Sequence, residues 1–458
     1  MYATKRLTLP MTLIGSMVLG TVTVQGEQIG LDVTPVRSVL KAGTKQTTWI
    51  RVGLDGFELK SDAPRPAANV AIVMDKSGSM QGEKIARARD AAIDALRLLE
   101  PDDIVSIVTY DSTVNVVVPA TKLTDREYIV AKIRAIQASG NTALFGGVSK
   151  GAAEVRKFLN KERVNRVILL SDGLANVGPF APGELGALGA SLLKENISVT
   201  TLGLGLGYNE DLMAQLAGQS GGNHYFVEQA SELATIFRSE FDDVLSVVAQ
   251  EIDVTITIPE GIRPVRVLGN DADINGQQVV TRLAAIYSRQ NKHVVIEVET
   301  PSSDPNSTLH MASVKVTYSN MKTHKQDTLT GAAKVSFSDS DNEVAASLNK
   351  IVMADVVALV SSEKNKLATR YLDAGDLVRC RETLSKNVAY LNANAVLLPE
   401  AKRLAELSTL NRIQADRLEG VTDNKDDRAV SARKATREYQ NLVDRQQKSV
   451  PVLPGVKP

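Results

Sequence analysis

The stretch VMDKSGSM (Val73–Met80) ends one pattern and begins another. Before it, Val70–Met74 is a short apolar run. After it, Ile85, Ala88, Ala92, Ala95, Leu96 and Leu99 recur at helical spacing. Between strand and helix, Asp75, Ser77 and Ser79 set a carboxylate and two hydroxyls at alternate positions. Ser and Asp are good helix caps, so this turn alone reads equally as a capped helix start. The rest of the chain decides between a cap and a site.

From 68 to about 250, strands and helices alternate. Apolar runs occur at Ile104–Tyr110, Val167–Leu170 and Ile197–Leu202. Helical patterns occur at Ile85–Leu99, Glu127–Ile136, Leu144–Leu159, Glu184–Lys194, Asp211–Leu216 and Leu233–Val248. This order predicts an α/β, doubly wound, mostly parallel sheet covered on both faces. DSTVNVVVPA (Asp111–Ala120) follows its predecessor with almost no connection, which permits only an antiparallel edge strand. Such sheets bind ligands beyond the carboxyl ends of their strands. Asp75 lies at one such end. SGNTALFGG (Ser139–Gly147) brings Thr142 to the start of a helix, and LLSDGLANVG (Leu169–Gly178) puts Asp172 directly after a strand. The three loops should converge.

Two carboxylates and three hydroxyls form a hard-cation set with no His or Cys. Mg2+ suits it, with Mn2+ or Ca2+ as alternatives: Mg2+ takes octahedral oxygen ligands and few carboxylates. Neutral hydroxyls leave the ion positive, with a position open to a partner's carboxylate. Asp75-x-Ser77-x-Ser79, Thr142 and Asp172, in this order and context, resemble the metal-ion-dependent adhesion site of von Willebrand factor type A domains. The resemblance spans about 68–250. It implies a six-stranded central sheet. It also implies metal ligation by Ser77, Ser79 and Thr142, and by Asp75 and Asp172 directly or through water. Lys76, Gly140, Asn141 and Gly173 flank these positions and are the expected partner-binding rim, although Lys76 reads first as a solvent-facing residue. The glycines of LGLGLGYNEDL (Leu202–Leu212) lack dinucleotide-binding spacing and read as a tight loop at the rim of the site.

Outside this unit the period changes. Ile29, Leu31 and Val33, then Ile50, Val52 and Leu54, alternate with polar residues. So do Ile252–Ile258, Val294–Val298 and Val314–Tyr318. Residues 251–337 therefore predict a β-sandwich, and strands within 27–60 are expected to complete it around an inserted α/β unit. SDAPRPAA (Ser61–Ala68) is a linker, 342–447 is helical, and 448–458 is a loose Pro-rich tail. The layout resembles bacterial exported proteins, inter-alpha-trypsin inhibitor heavy chains and calcium-activated chloride channel regulators.

The chain's 458 residues suit about three domains. Lys plus Arg equals Asp plus Glu at 53 each, which gives no reason to expect a nucleic-acid partner. Cys380 is the only cysteine, so no internal disulfide forms. Lys5 and Arg6 precede an apolar run from Leu7 to Val24, read as an export signal over 1–26. An uncleaved membrane anchor is the competing reading. The expected protein is exported, periplasmic or secreted, and is a non-enzymatic metal-dependent binding module. A subunit of a cell-envelope complex is one alternative. A Mg2+-dependent phosphohydrolase using Asp75 as nucleophile is another.

Overall fold

A computed structural model describes residues 28–59, 65–398 and 402–447. The expected export signal (1–26), residues 61–64 of the linker and the tail (448–458) lie outside the described residues. The chain opens with β1 (Gly30–Pro35), β2 (Val39–Lys41) and β3 (Gln46–Asp55). An α/β unit follows: β4 (Ala67–Asp75), α1 (Glu83–Leu96), β5 (Ile104–Tyr110), β6 (Val114–Lys122), α2 (Arg126–Arg134), α3 (Leu144–Arg156), β7 (Arg163–Ser171), α4 (Pro182–Lys194), β8 (Ser198–Leu204), α5 (Glu210–Ser220), β9 (His224–Val227) and α6 (Leu233–Val244). The β region resumes with β10 (Val247–Thr257), β11 (Arg263–Leu268), β12 (Asp273–Asn275), β13 (Gln278–Tyr287), β14 (Asn291–Thr300), β15 (Thr308–Asn320) and β16 (Lys325–Ser338). Five helices end the described chain: α7 (Asp341–Ala346), α8 (Lys350–Asp373), α9 (Leu377–Leu397), α10 (Lys402–Arg417) and α11 (Asp427–Asp444).

The α/β sheet has the order β6-β5-β4-β7-β8-β9. Its pairings are parallel except β5 with β6, so the antiparallel edge strand is where the short connection required it. β4 is buried along almost its whole length, as a central parallel strand must be. Ile72, Met74 and Ile168 pack on one face with Ile85 of α1, Ile133 of α2 and Phe237 of α6. Val73 and Leu169 pack on the other with Val148 of α3, Leu192 of α4 and Leu216 of α5.

Two antiparallel-rich sheets, β1-β3-β14-β11 and β12-β13-β10-β15-β16-β2, share a second core that includes Ile50, Val52, Val254, Ile256, Ile296 and Val316. β3 pairs with β14 across the whole of the intervening α/β unit, so that unit is an insertion into the sandwich. The helix expected over Leu233–Val248 ends earlier, at Val244. Val247 already belongs to β10, whose alternating β-branched residues are claimed by pairing with β13 and β15. β9 has only four residues, too short for its period to register.

A buried polar joint connects the inserted unit to the sandwich. The Arg166 guanidinium of β7 donates to Thr200 Oγ1 and to the Tyr287 hydroxyl, both at 3.2 Å. It also lies 3.4 Å from Glu240 Oε1 of α6. The helical region makes the second joint. Val356 and Leu359 of α8 and Tyr439 and Val443 of α11 pack on Leu268 and Val295 of the four-stranded sheet. α11 then reaches the inserted unit, where the buried Glu438 carboxyl accepts from the Phe226 amide of edge strand β9 at 3.0 Å. Burial pushes the Glu438 pKa up to about 8.

Two expectations follow. Glu240→Ala leaves the Arg166 charge buried beside fewer partners and should cost about 3–5 kcal/mol, read from denaturant unfolding. Glu438 titrates from an unfolded reference of 4.5 to about 8 in the fold, so between those values the native state holds the proton that the unfolded chain has released. Stability contributed by the neutral carboxyl is therefore full below the lower value and is lost as pH rises through the upper one. Glu438→Gln keeps the acceptor oxygen and cannot ionise. It should unfold several degrees above wild type at pH 8.5 and nearly with it at pH 4.5, by scanning calorimetry.

Candidate metal centre

β4 and β7 run side by side in register, with Met74 opposite Leu170, so their carboxyl ends meet. Asp75 is fully buried there. Its Oδ1 accepts from the Ser77 amide and its Oδ2 from the Ser171 hydroxyl, both at 2.8 Å. Burial raises the Asp75 pKa, and the nearby Asp172 charge adds to the shift against those hydrogen bonds. Ser77 Oγ lies 3.0 Å from Ser79 Oγ, which donates to Asp172 Oδ1 at 2.6 Å.

The Thr142 loop closes the group. Its amide donates to Asn176 Oδ1 at 2.9 Å and its carbonyl accepts from the Asn176 amide at 3.1 Å. Gly173 lies between the loops: a Cβ there would stand 3.2 Å from Thr142 Oγ1 and 3.4 Å from Ser79 Oγ. The Gly78 amide donates to the Gly140 carbonyl at 2.9 Å, tying the first loop to the second. Asp75, Ser77, Ser79, Thr142 and Asp172 are thus brought together from three strand and helix ends.

Among the described residues no three His, Cys, Asp or Glu side chains gather as metal ligands, so a cation here must rely on hydroxyls as well. The spacing suits that. Oxygens bound at about 2.1 Å and at right angles lie roughly 3.0 Å apart, as on the edge of a Mg2+ octahedron. The Ser77–Ser79 and Ser79–Asp172 separations of 3.0 and 2.6 Å are near that edge. The four histidines lie elsewhere, on β9, β14 and β15 and in the turn before β16.

Lys76 is a correction. It is not the solvent-facing cation its sequence position suggests: it pairs with Asp111, and the two side chains are only 16% and 10% exposed. Burial raises the Asp111 pKa, but hydrogen bonds from Lys76 and Thr113 outweigh it and hold it at about 2. The pair braces the first loop against the β5–β6 turn. Asn141 is exposed, and its amide donates to Ser112 Oγ at 3.0 Å.

Sequence reasoning missed Lys84. Its ammonium donates to Asp172 Oδ2 at 2.5 Å from the first turn of α1. The signal was available: a cation at a helix N-terminus opposes the helix dipole and calls for a nearby carboxylate. It also missed Asn176, whose partners are backbone groups of another loop. On the far side, a Cβ at Gly207 would meet the Asp172 carbonyl at 2.7 Å. The neighbouring Tyr208 carbonyl takes a hydrogen bond from Lys434 of α11. Lys434 is itself buried, and it pairs with Glu210 at 2.7 Å.

Residues 69–239 match the family model of the von Willebrand factor type A domain. That segment is such a domain. YfbK of Escherichia coli (strain K12) is 27% identical over 214 residues, 46% of this chain and 37% of that protein. Inter-alpha-trypsin inhibitor heavy chain H2 of Mus musculus is 30% identical over 165 residues, 34% of this chain and 17% of that one. The alignments thus span well under half the length of these curated relatives. In fold, a von Willebrand factor type A protein from Catenulispora acidiphila superposes with a TM-score of 0.68 at 15% identity, over 85% of this chain and 90% of that one. That likeness extends beyond the type A domain, so the sandwich and helices share its architecture. No helix among the described residues is long and apolar enough to cross a membrane.

Proposed function

We propose that the type A domain is a metal-ion-dependent protein-binding module, holding Mg2+ through Ser77, Ser79, Thr142 and Asp172 with Asp75 behind them. Mn2+ and Ca2+ are alternative occupants. The observation that carries the reading is the convergence of hydroxyls and only two carboxylates, with the Ser77–Ser79 and Ser79–Asp172 oxygens near octahedral-edge spacing and Lys84 already on one carboxylate. The charges add simply: two carboxylates, one ammonium and one divalent ion leave a net of about +1 in a partly buried pocket, where charge is weakly screened. An acidic side chain of a protein partner is the group that balances it. Ser79 is exposed whereas Ser77 and Asp75 are buried, so the partner's approach is over Ser79. The Catenulispora likeness is one of fold and leaves the partner to experiment.

Asp75 is a poor candidate nucleophile. Both of its oxygens are held by Ser77 and Ser171, and it is fully buried. That supports binding over phosphate hydrolysis. Export, and with it a place in or outside the cell envelope, belongs to the same proposal and rests on the sequence of the first 26 residues. The sandwich and helices then act as a scaffold that presents the domain.

Calorimetry with Mn2+ tests the site. Ser77→Ala with Ser79→Ala should weaken binding by at least roughly tenfold while far-UV circular dichroism stays that of wild type. Equal affinity in both proteins would sink the assignment. Lys84→Met tests the charge account: removing a cation from Asp172 should tighten Mn2+ binding, by a few kcal/mol at an effective dielectric suited to a protein surface. Unchanged or weaker affinity would show that Lys84 and the ion do not share that carboxylate.

A further inference from the structure

The surface around the centre is divided. On the β4 and β5 side the exposed residues are polar: Gln81, Ser112 and Asn141. On the β7 and β8 side stand three large apolar side chains, Leu174 at 60% exposed, Phe180 at 62% and Leu206 at 36%.

Leu174 is held outward. The loop that carries it is pinned at both ends, by Asp172 within the centre and by Asn176 and Val177, whose amides donate to the Thr142 carbonyl at 3.1 and 3.3 Å. Its neighbour Ala175 packs into the core while Leu174 does not. Leu206 is fixed similarly. The Gly205 amide donates to the Val227 carbonyl at 2.8 Å, and Gly207 abuts the Asp172 carbonyl. Phe180 follows on the same loop as Leu174. Exposed apolar groups scattered singly need no explanation, but these three stand on the loops that leave the carboxyl ends of the adjacent parallel strands β7 and β8, the sheet edge that carries the centre.

Resting on the metal-dependent reading above, we propose that the partner is a protein segment whose acidic side chain is flanked by apolar side chains, which lie on Leu174, Leu206 and Phe180. The carboxylate answers the net positive charge of the centre, and the apolar neighbours bury the adjoining rim. A segment with polar flanks would satisfy the ion and leave that rim wet. Affinity and selectivity are thereby separated: the ion requires the acid, and the loops after β7 and β8 choose its neighbours.

The probes are two labelled peptides, each with one central Asp, flanked on both sides by Leu and Phe in one and by Ser and Gln in the other. Fluorescence anisotropy on the full chain with saturating Mn2+ should show the apolar-flanked peptide binding at least roughly tenfold tighter, the equivalent of burying about one large apolar side chain. EDTA should release it. Leu174→Ser with Leu206→Ser should erase the preference while calorimetric Mn2+ affinity stays at the wild-type value, which also shows that the variant folds. Equal affinity for the two peptides, binding of neither included, overturns the proposal, as does a preference that survives the double change. Wild type that fails to bind Mn2+ overturns the metal reading beneath it and is recognised before any peptide is added. Sedimentation velocity covers the remaining occupant: self-association lost in the double variant would assign the rim to a second copy of this chain and overturn the proposal.

Discussion

Two carboxylates held on adjacent parallel strands are the constraint from which the site follows. A parallel sheet turns every strand's carboxyl end to the same edge, so Asp75 after β4 and Asp172 after β7 cannot avoid each other. Burial disfavours ionisation of Asp75 and raises its pKa, and the nearby Asp172 charge adds a smaller push in the same direction. The fold answers it with donors. Ser77 and Ser171 supply the two bonds to Asp75, and Ser79 and Lys84 supply those to Asp172. Each donor is local to one of the same two loops or to the helix that follows, so a single strand pairing organises the group.

The sheet was legible because its signals are local. Apolar runs of strand length between helical periods dictate parallel order, and the near-absent connection before Asp111–Ala120 dictates the antiparallel edge. The convergence of Asp75, Ser77, Ser79 and Asp172 was legible because each sits at a fixed offset from a strand end, and that of Thr142 because it sits at a helix start. What was not legible depends on partners distant in sequence. Lys76 looks solvent-facing until Asp111, 35 residues away, is placed against it. Lys84 looks like an ordinary helix cation until Asp172 arrives from β7. The end of α6 was misplaced for a related reason: Val244–Val248 continues an apolar helical stripe, and only pairing with Tyr287 of β13 claims Val247 for a strand.

The helical region shows the same dependence on distant partners at larger scale. α11 touches every other unit. Gln446, just past its end, exchanges hydrogen bonds with the backbone of His293 on β14, at 2.7 and 2.8 Å. Glu438 caps the amide of an otherwise unpaired sheet edge. Arg437 pairs with Asp211 of α5 and with Asp373 of α8. Helical structure was expected in this stretch, but the role of α11 as the joint between sandwich, inserted domain and bundle is invisible in its own periodicity.

That joint bears on the centre through one further set of contacts. Lys434 buries an ammonium, which is costly unless it is paired and hydrogen-bonded. It meets the Glu210 carboxylate, the Tyr208 carbonyl and the face of the Tyr208 ring, with the ammonium 3.8 Å from the ring centroid. Tyr208 follows Gly207, and Gly207 lies against the backbone of Asp172. A centre built largely from neutral hydroxyls gains less from each ligand than one built from carboxylates, so it depends more on having its ligands held in place beforehand. Its three loops are tied to one another by bonds within the domain, at Gly78–Gly140 and Thr142–Asn176. The third carries the second carboxylate and is backed by a loop that a helix from outside the domain anchors. The inserted domain and the C-terminal helices therefore meet behind the candidate metal centre itself.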